Sequence, residues 1–318
     1  MNANELIKRY EAGERDFSGV DLHGLSIDGE LNGINLSHAN LSHASLDLHL
    51  NNADLSHANL SHANLEGIDW KDVNLSYADL SDTTLDHSNI TNANLTGANL
   101  SLMWALQSSL DGCDLSGADL SNVHFSEVYL FDANLSRANL THALLHDTYL
   151  RRANLSNVNF TGANLTVVSG LNEANLSGAN FTAILYSSYA DFPAEVDLTQ
   201  WGAIFVGAGA DLSGLDLSNV RLSGGRELSE TNFSRANLSS AKLYDNDLRK
   251  ANFSYANLAN ADLIHADLTD ANFSHANLEG ANLSHANLYN ANLKNANLSS
   301  AIFCKTIMPD GSIRTDKS

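Results

Sequence analysis

Thirteen histidines, two cysteines and 37 acidic residues supply this 318-residue chain with groups that could bind metal or move protons, so their spacing decides what they can do. Nine of the histidines (His38, His43, His57, His62, His87, His142, His265, His275 and His285) fall at one fixed place in a short recurring phrase. His265 and His285, twenty residues apart, are the pair that stacking would bring together, yet no cysteine or carboxylate completes a ligand set with them. They read as solvated corner residues, and no metal or other cofactor is expected. Ser, His and Asp are so frequent that a hydrolytic triad could be drawn almost anywhere, but catalysis also needs a concave, desolvated pocket. The stretch Gly207-Ala208-Gly209-Ala210-Asp211-Leu212 hints at a phosphate loop, yet it lacks a third glycine, a Lys-Ser/Thr pair and a following helix, so it reads as a turn. Strings such as Asn59-Leu60-Ser61 match a glycosylation acceptor only as by-products of the repeat. Cys113 and Cys304 are far apart in the chain, and a disulfide needs Cα atoms within about 7 Å, so both are expected as free thiols.

The elements that carry these residues follow from the phrase itself. Ala53-Asp54-Leu55-Ser56-His57 is followed by Ala58-Asn59-Leu60-Ser61-His62: a small residue, Asn or Asp, Leu, then two mostly polar residues. Counting in fives from Leu50 to Leu165 gives 24 central positions, of which 23 hold Leu, Ile, Phe or Trp, among them Leu55, Leu60, Leu135 and Leu140. The exception is Ala105, beside which Met103 replaces the usual alanine, a size swap that preserves core volume. A second ladder, from Leu228 to Phe303, has 16 central positions, all Leu or Phe. An α-helix would smear a five-residue period over every face. Three extended residues, with the small residue and the Leu pointing inward, followed by a two-residue corner, satisfy it.

The number of corners per coil is also legible. Phe233-Ser-Arg-Ala-Asn-Leu238, Phe253-Ser-Tyr-Ala-Asn-Leu258 and Phe273-Ser-His-Ala-Asn-Leu278 recur every twenty residues, or four pentapeptides. A four-sided coil stacks Phe233, Phe253 and Phe273 above one another, which suits aromatic packing inside a column. On these A(D/N)Lxx phrases the chain resembles the pentapeptide-repeat family over most of residues 17 to 303. The resemblance implies an all-β fold, a right-handed quadrilateral parallel β-helix or solenoid. Stacked at about 4.8 Å, roughly fourteen coils would make a rod near 70 Å long.

Residues 1–16 are expected to form an N-terminal capping helix, Glu5 to Ala12 with Asn4 as N-cap. A first ladder follows over 17–185, an irregular interruption over 186–211, a second ladder over 212–303 and a capping tail over 304–318, all in one continuous solenoid domain. Caps are needed because an open stack exposes unpaired strand edges at both ends. Both ends resemble those of cyanobacterial members of the family, including the heterocyst-differentiation pentapeptide protein. The register slips between Leu46 and Leu50, between Leu165 and Leu171, and between Leu222 and Leu228 across Gly224-Gly225, and each slip reads as a bulge. In the interruption, Phe192, Trp201 and Phe205 form a candidate partner-binding patch. The competing expectation is a loop folded back to bury its own aromatics.

A formal net charge of −20 argues against direct nucleic-acid binding. No apolar run is long enough to span a membrane, and the charged N-terminus lacks a secretory core, so a cytoplasmic monomer is the default. The function that follows is a noncatalytic, regulatory kind of interaction protein offering a rigid β-helical surface to a protein partner. An alternative comes from the quinolone-resistance branch of the same family, whose acidic rods resemble DNA and bind gyrase. Against it, DNA carries a charge about every 1.7 Å, whereas −20 over such a rod is one per about 3.5 Å. The corner column Asn52, Asp72, Asn92, Gly112, Asp132 and Arg152 also interrupts its acids with neutral and basic residues.

Overall fold

A computed structural model describes residues 1–223, 225 and 227–316, in two compact units, Met1–Ala203 and Ile204–Ser318. Each unit is a right-handed, four-sided parallel β-helix. In the first, one column of parallel bridges climbs through Asp16, Asn35, Asp54, Asn74, Asn94, Asp114, Asn134, Asn154 and Asn175. In the second, the equivalent column is Asp211, Asn232, Asn252, Asn272 and Asn292. Each central residue donates its N–H to the coil above, as Leu55 does to the Asn74 carbonyl at 2.7 Å, and the following corner closes with Ala58 N–H to the Leu55 carbonyl at 3.0 Å.

Inside, the expected side chains meet. Leu55, Leu60, Leu135 and Leu140 are buried, as are both members of the swapped pair Met103 and Ala105. The Phe233, Phe253 and Phe273 rings stack with centroids 4.9 and 4.8 Å apart and planes within 7°. At the corners, the second residue adopts left-handed backbone, including all nine repeat-position histidines, with φ from 55° to 61°. Asn, Asp and His tolerate that region better than other non-glycine residues, which suits their frequency there, although Tyr77, Leu102 and Arg137 adopt it too.

Three features differ from the sequence expectation. The N-terminal helix α1 spans Ala3–Glu11, and its N-cap is Asn2, whose side chain accepts from Glu5 N–H at 2.9 Å; Asn4 lies inside the helix. Leu6 is buried and Arg9 lies over the Phe17 ring of the first coil, so α1 covers that end. The slip at Leu46–Leu50 is a four-residue step within a straight strand, and it has a twin one coil below. Strands β1 (Ser26–Glu30) and β2 (Ser45–His49) pair in register, so Ile27–Leu31 is short as well. The first coils therefore repeat every nineteen residues (Asp16 to Asn35, Asn35 to Asp54) before the twenty-residue period begins at Asp54 to Asn74. Trp70 sits at that changeover, fully buried, and its indole N–H donates to the Leu48 carbonyl at 2.6 Å.

The slip at Leu165–Leu171 begins as a bulge and ends as a turn. After the ladder shifts between β5 (Leu144–Tyr149) and β6 (Asn164–Ser169), Gly170 at φ 87° opens a 3-10 turn, Leu171–Glu173. A Cβ on Gly170 would lie 2.4 Å from the Arg151 amide nitrogen, so only glycine fits. The third slip is bracketed by Arg221 opposite Lys242 and Glu227 opposite Asp247, which leaves one extra residue between them; Gly224 itself lies outside the described residues. At the far end, Thr306–Ile307 and Ile313–Arg314 pair antiparallel, and Arg314 stacks on the Phe303 ring at 4.0 Å.

Candidate interaction surface

On the regular faces, the outward slot just before each central residue holds Asn or Asp, and these side chains bond from coil to coil. Asn134 Nδ2 donates to Asp114 Oδ1, and Asn154 Nδ2 donates to Asn134 Oδ1, each at 3.0 Å. Such ladders satisfy themselves and leave little for a partner. Two adjoining faces of the first unit break the rule. On one, the slot holds Trp104, His124 and Leu144, carried by β3 (Trp104–Leu106), β4 (His124–Ser126) and β5, which form a parallel sheet with β6 and with β7 (Leu185–Tyr186). On the next, it holds Tyr129 and Tyr149.

The rings form two strips. Trp104, 54% exposed, stacks on His124 at 4.1 Å, and Leu102, 49% exposed, lies on the same coil. Tyr129 stacks on Tyr149 at 4.9 Å, with Phe131 edge-on to both. On the corner between the strips sit Glu127, which accepts from Gln107 Nε2 at 2.9 Å, and Asp147, 3.1 Å from His146 Nε2. Burial pushes the Tyr149 phenol up, helped by the charges of Asp147 and Glu127, so it stays neutral. Burial lowers the His124 imidazole, which favours an uncharged ring under Trp104. At the outer edge Arg151 lies over Phe131 at 5.4 Å, and Arg152 forms a two-bond pair with Asp132, holding that carboxyl below its ordinary value.

Of the residues singled out from the sequence, Phe192 and Trp201 come together in the first unit. Both rings stand edge-on to Phe181, at 5.4 and 6.4 Å, and both are half-buried against the core. Phe205 belongs to the second unit, 41% exposed, with its ring over Gly207. Trp201→Ala is therefore expected to cost about 1 to 3 kcal/mol of stability, since an aromatic pair and its burial are both lost. Urea unfolding of the variant measures this, and an unchanged midpoint would mean that the ring packs on nothing.

The nine repeat-position histidines are exposed, and several stack: His38 on His57 at 4.9 Å, His43 on His62 at 4.7 Å and His265 on His285 at 4.7 Å. His62 Nδ1 also lies 2.9 Å from Asp82. Among the described residues no cluster of three metal-ligating side chains occurs. Gly209 turns with φ 69°, and the ladder resumes at Asp211. Both cysteines are free thiols. Cys113 is buried in a slot usually filled by alanine, donates to the Ile90 carbonyl, and is pushed up to about 12 by burial, whereas Cys304 is exposed. The native protein should thus titrate one thiol rapidly with a disulfide reagent and the second only in denaturant. Two fast thiols would contradict the burial of Cys113. No helix among the described residues is long and apolar enough to cross a membrane.

Four-sided coils, self-bonding Asn/Asp ladders and left-handed corners define a pentapeptide-type solenoid whose distinctive surface is aromatic. The family profile for pentapeptide repeats matches residues 16–69, 53–92, 71–101, 231–270, 247–284 and 266–303, and a profile for a pentapeptide repeat region matches 106–181, so the chain belongs to the pentapeptide-repeat family. Among solved structures it is similar to HetL of the cyanobacterium Nostoc, a pentapeptide repeat protein involved in heterocyst differentiation regulation, at 28% identity over 99% of this chain and 100% of that one, with a TM-score of 0.26. It is also similar to QnrB1, a plasmid-mediated fluoroquinolone resistance protein, at 16% identity over 84% of this chain and 92% of that one, with a TM-score of 0.23. A pentapeptide repeat protein of the Arabidopsis thaliana thylakoid lumen is 30% identical over 30% of this chain and 69% of that one, with a TM-score of 0.17. No curated protein matches the sequence.

Proposed function

We propose that this chain is a noncatalytic interaction protein that offers a rigid β-helical face to a protein partner. One observation carries the reading: Trp104, Tyr129 and Tyr149 stand where the repeat mostly places Asn or Asp, so the self-satisfied ladder is replaced by exposed rings on a backbone locked from coil to coil. Rings on a rigid frame lose little entropy on binding, and aromatic residues commonly anchor interfaces. Among the described residues the interior is filled by Leu, Phe and Ala, a packing that supports a role for the outer face.

The alternative, an acidic mimic of DNA that binds gyrase, draws on the net charge of −20. Continuity weakens it. In the corner column tested above, Asp132 is neutralised by Arg152, and Asp72 is contacted by the neutral Asn92. Affinity capture from the source cell with the full chain, beside a Trp104→Ala/Tyr149→Ala variant, tests the proposal. A protein retained by the wild type and lost by the variant supports it; absence of any specific partner sinks it. A gyrase supercoiling assay that responds to micromolar protein would instead favour the mimic.

A further inference from the structure

We infer that the two aromatic strips and the carboxylates between them receive an arginine-bearing segment of the partner protein. This rests on the interaction reading above and names the chemistry of what docks. The surface offers flat π faces, Trp104 at one side and Tyr129 with Tyr149 at the other, and each presents the negative quadrupole that attracts a cation. Glu127 and Asp147 occupy the corner between them, and their charges reach Tyr149. Among the described residues no lysine or arginine pairs with either carboxylate, although ion pairs neutralise acids elsewhere, as at Asp132 and Asp247.

Other occupants fit less well. A wholly apolar partner would desolvate two carboxylates that hold only a Gln107 amide and the His146 ring as partners, with no cation of its own to offset the loss of water. Nucleic-acid bases could stack on the rings, but their phosphates would meet Glu127, Asp147 and a chain of net charge −20. A guanidinium answers both parts of the surface, because it stacks flat on an aromatic ring and donates in a fork to a carboxylate. The molecule contains one such stack at the rim, where Arg151 lies over Phe131.

The test is a calorimetric titration of the full-length protein with a capped Arg-Gly-Arg-Gly-Arg peptide, beside the matching lysine and glutamate peptides. The expected result is saturable binding of the arginine peptide, weaker binding of the lysine peptide and none of the glutamate peptide. Trp104→Ala/Tyr149→Ala and, separately, Glu127→Gln/Asp147→Asn should each weaken it about ten-fold or more. Tyr255→Ala, which removes an exposed ring stacked on His275 in the second unit, should leave it within about two-fold. Equal binding by all variants would show general attraction to an acidic protein and overturn the inference, as would equal affinity for lysine and arginine or no binding at all. If the peptide fails while the native partner is still captured through Trp104, this inference falls and the interaction reading stands.

Discussion

Trp70→Ala is expected to destabilise the Met1–Ala203 unit by about 3 to 5 kcal/mol through lost packing, with about 1 to 3 kcal/mol more from the stranded Leu48 carbonyl. The size of the effect follows from position. Trp70 is fully buried where nineteen-residue coils give way to twenty-residue ones, and its indole N–H serves a carbonyl at that changeover. Trp70→Phe bears on the two contributions, since it retains part of the ring volume and removes the donor. Urea unfolding should rank wild type above Trp70→Phe and Trp70→Phe above Trp70→Ala. If Trp70→Phe unfolds with the wild type, the hydrogen bond contributes nothing and the indole serves only as filler.

The second large effect is expected at Phe253→Ala, at about 3 to 5 kcal/mol. This ring is sandwiched between Phe233 and Phe273 at 4.9 and 4.8 Å, so truncation opens a gap that touches three coils. In a stack where each repeat contacts only its neighbours, the damage should be local. Amide exchange should accelerate at Asn252 and Phe253, whose N–H groups bond to the adjacent coils, while the first unit keeps its protection. Uniform acceleration across both units would show a cooperativity that nearest-neighbour stacking does not provide.

Much of the fold was legible because each pentapeptide repeats the same local decision. The inward Leu, the small partner two residues earlier and the turn between them need only two-residue alternation and corner chemistry, so Leu55, Phe253 and the corner histidines fell where expected. The four-residue steps were harder to see. In Leu46-Leu48-Leu50 the inward alternation runs straight through, in Ile27–Leu31 the middle inward place is an exposed glycine, and a step of four differs from a step of five by one extended residue. At the N-terminus the signal was present: Asn2 has Glu5 three residues on, the spacing of a capping box, whereas Asn4 has Ile7.

The candidate surface was partly hidden for a different reason. Aromatics gathered in an irregular stretch attract notice, yet Phe192 and Trp201 stand against Phe181. Trp104, Tyr129 and Tyr149 lie inside regular repeats, and what marks them is the slot they occupy. Any large ring in the place of the ladder Asn or Asp must point outward, because the neighbouring positions already fill the interior. Their mutual stacking required the coil register, which a one-residue slip would have moved to another face.

The uniform twenty-residue column of bridges from Asn232 to Asn292 makes that part of the second unit quantised in length. Excising residues 253–272 joins Asn252 to Phe273 and returns every later side chain to its own face, whereas a cut that is not a whole number of twenty-residue circuits rotates all that follows. Growth and shrinkage of such a molecule must therefore proceed by whole circuits of the chain, and the reach of its surface can change without redesign of a single contact.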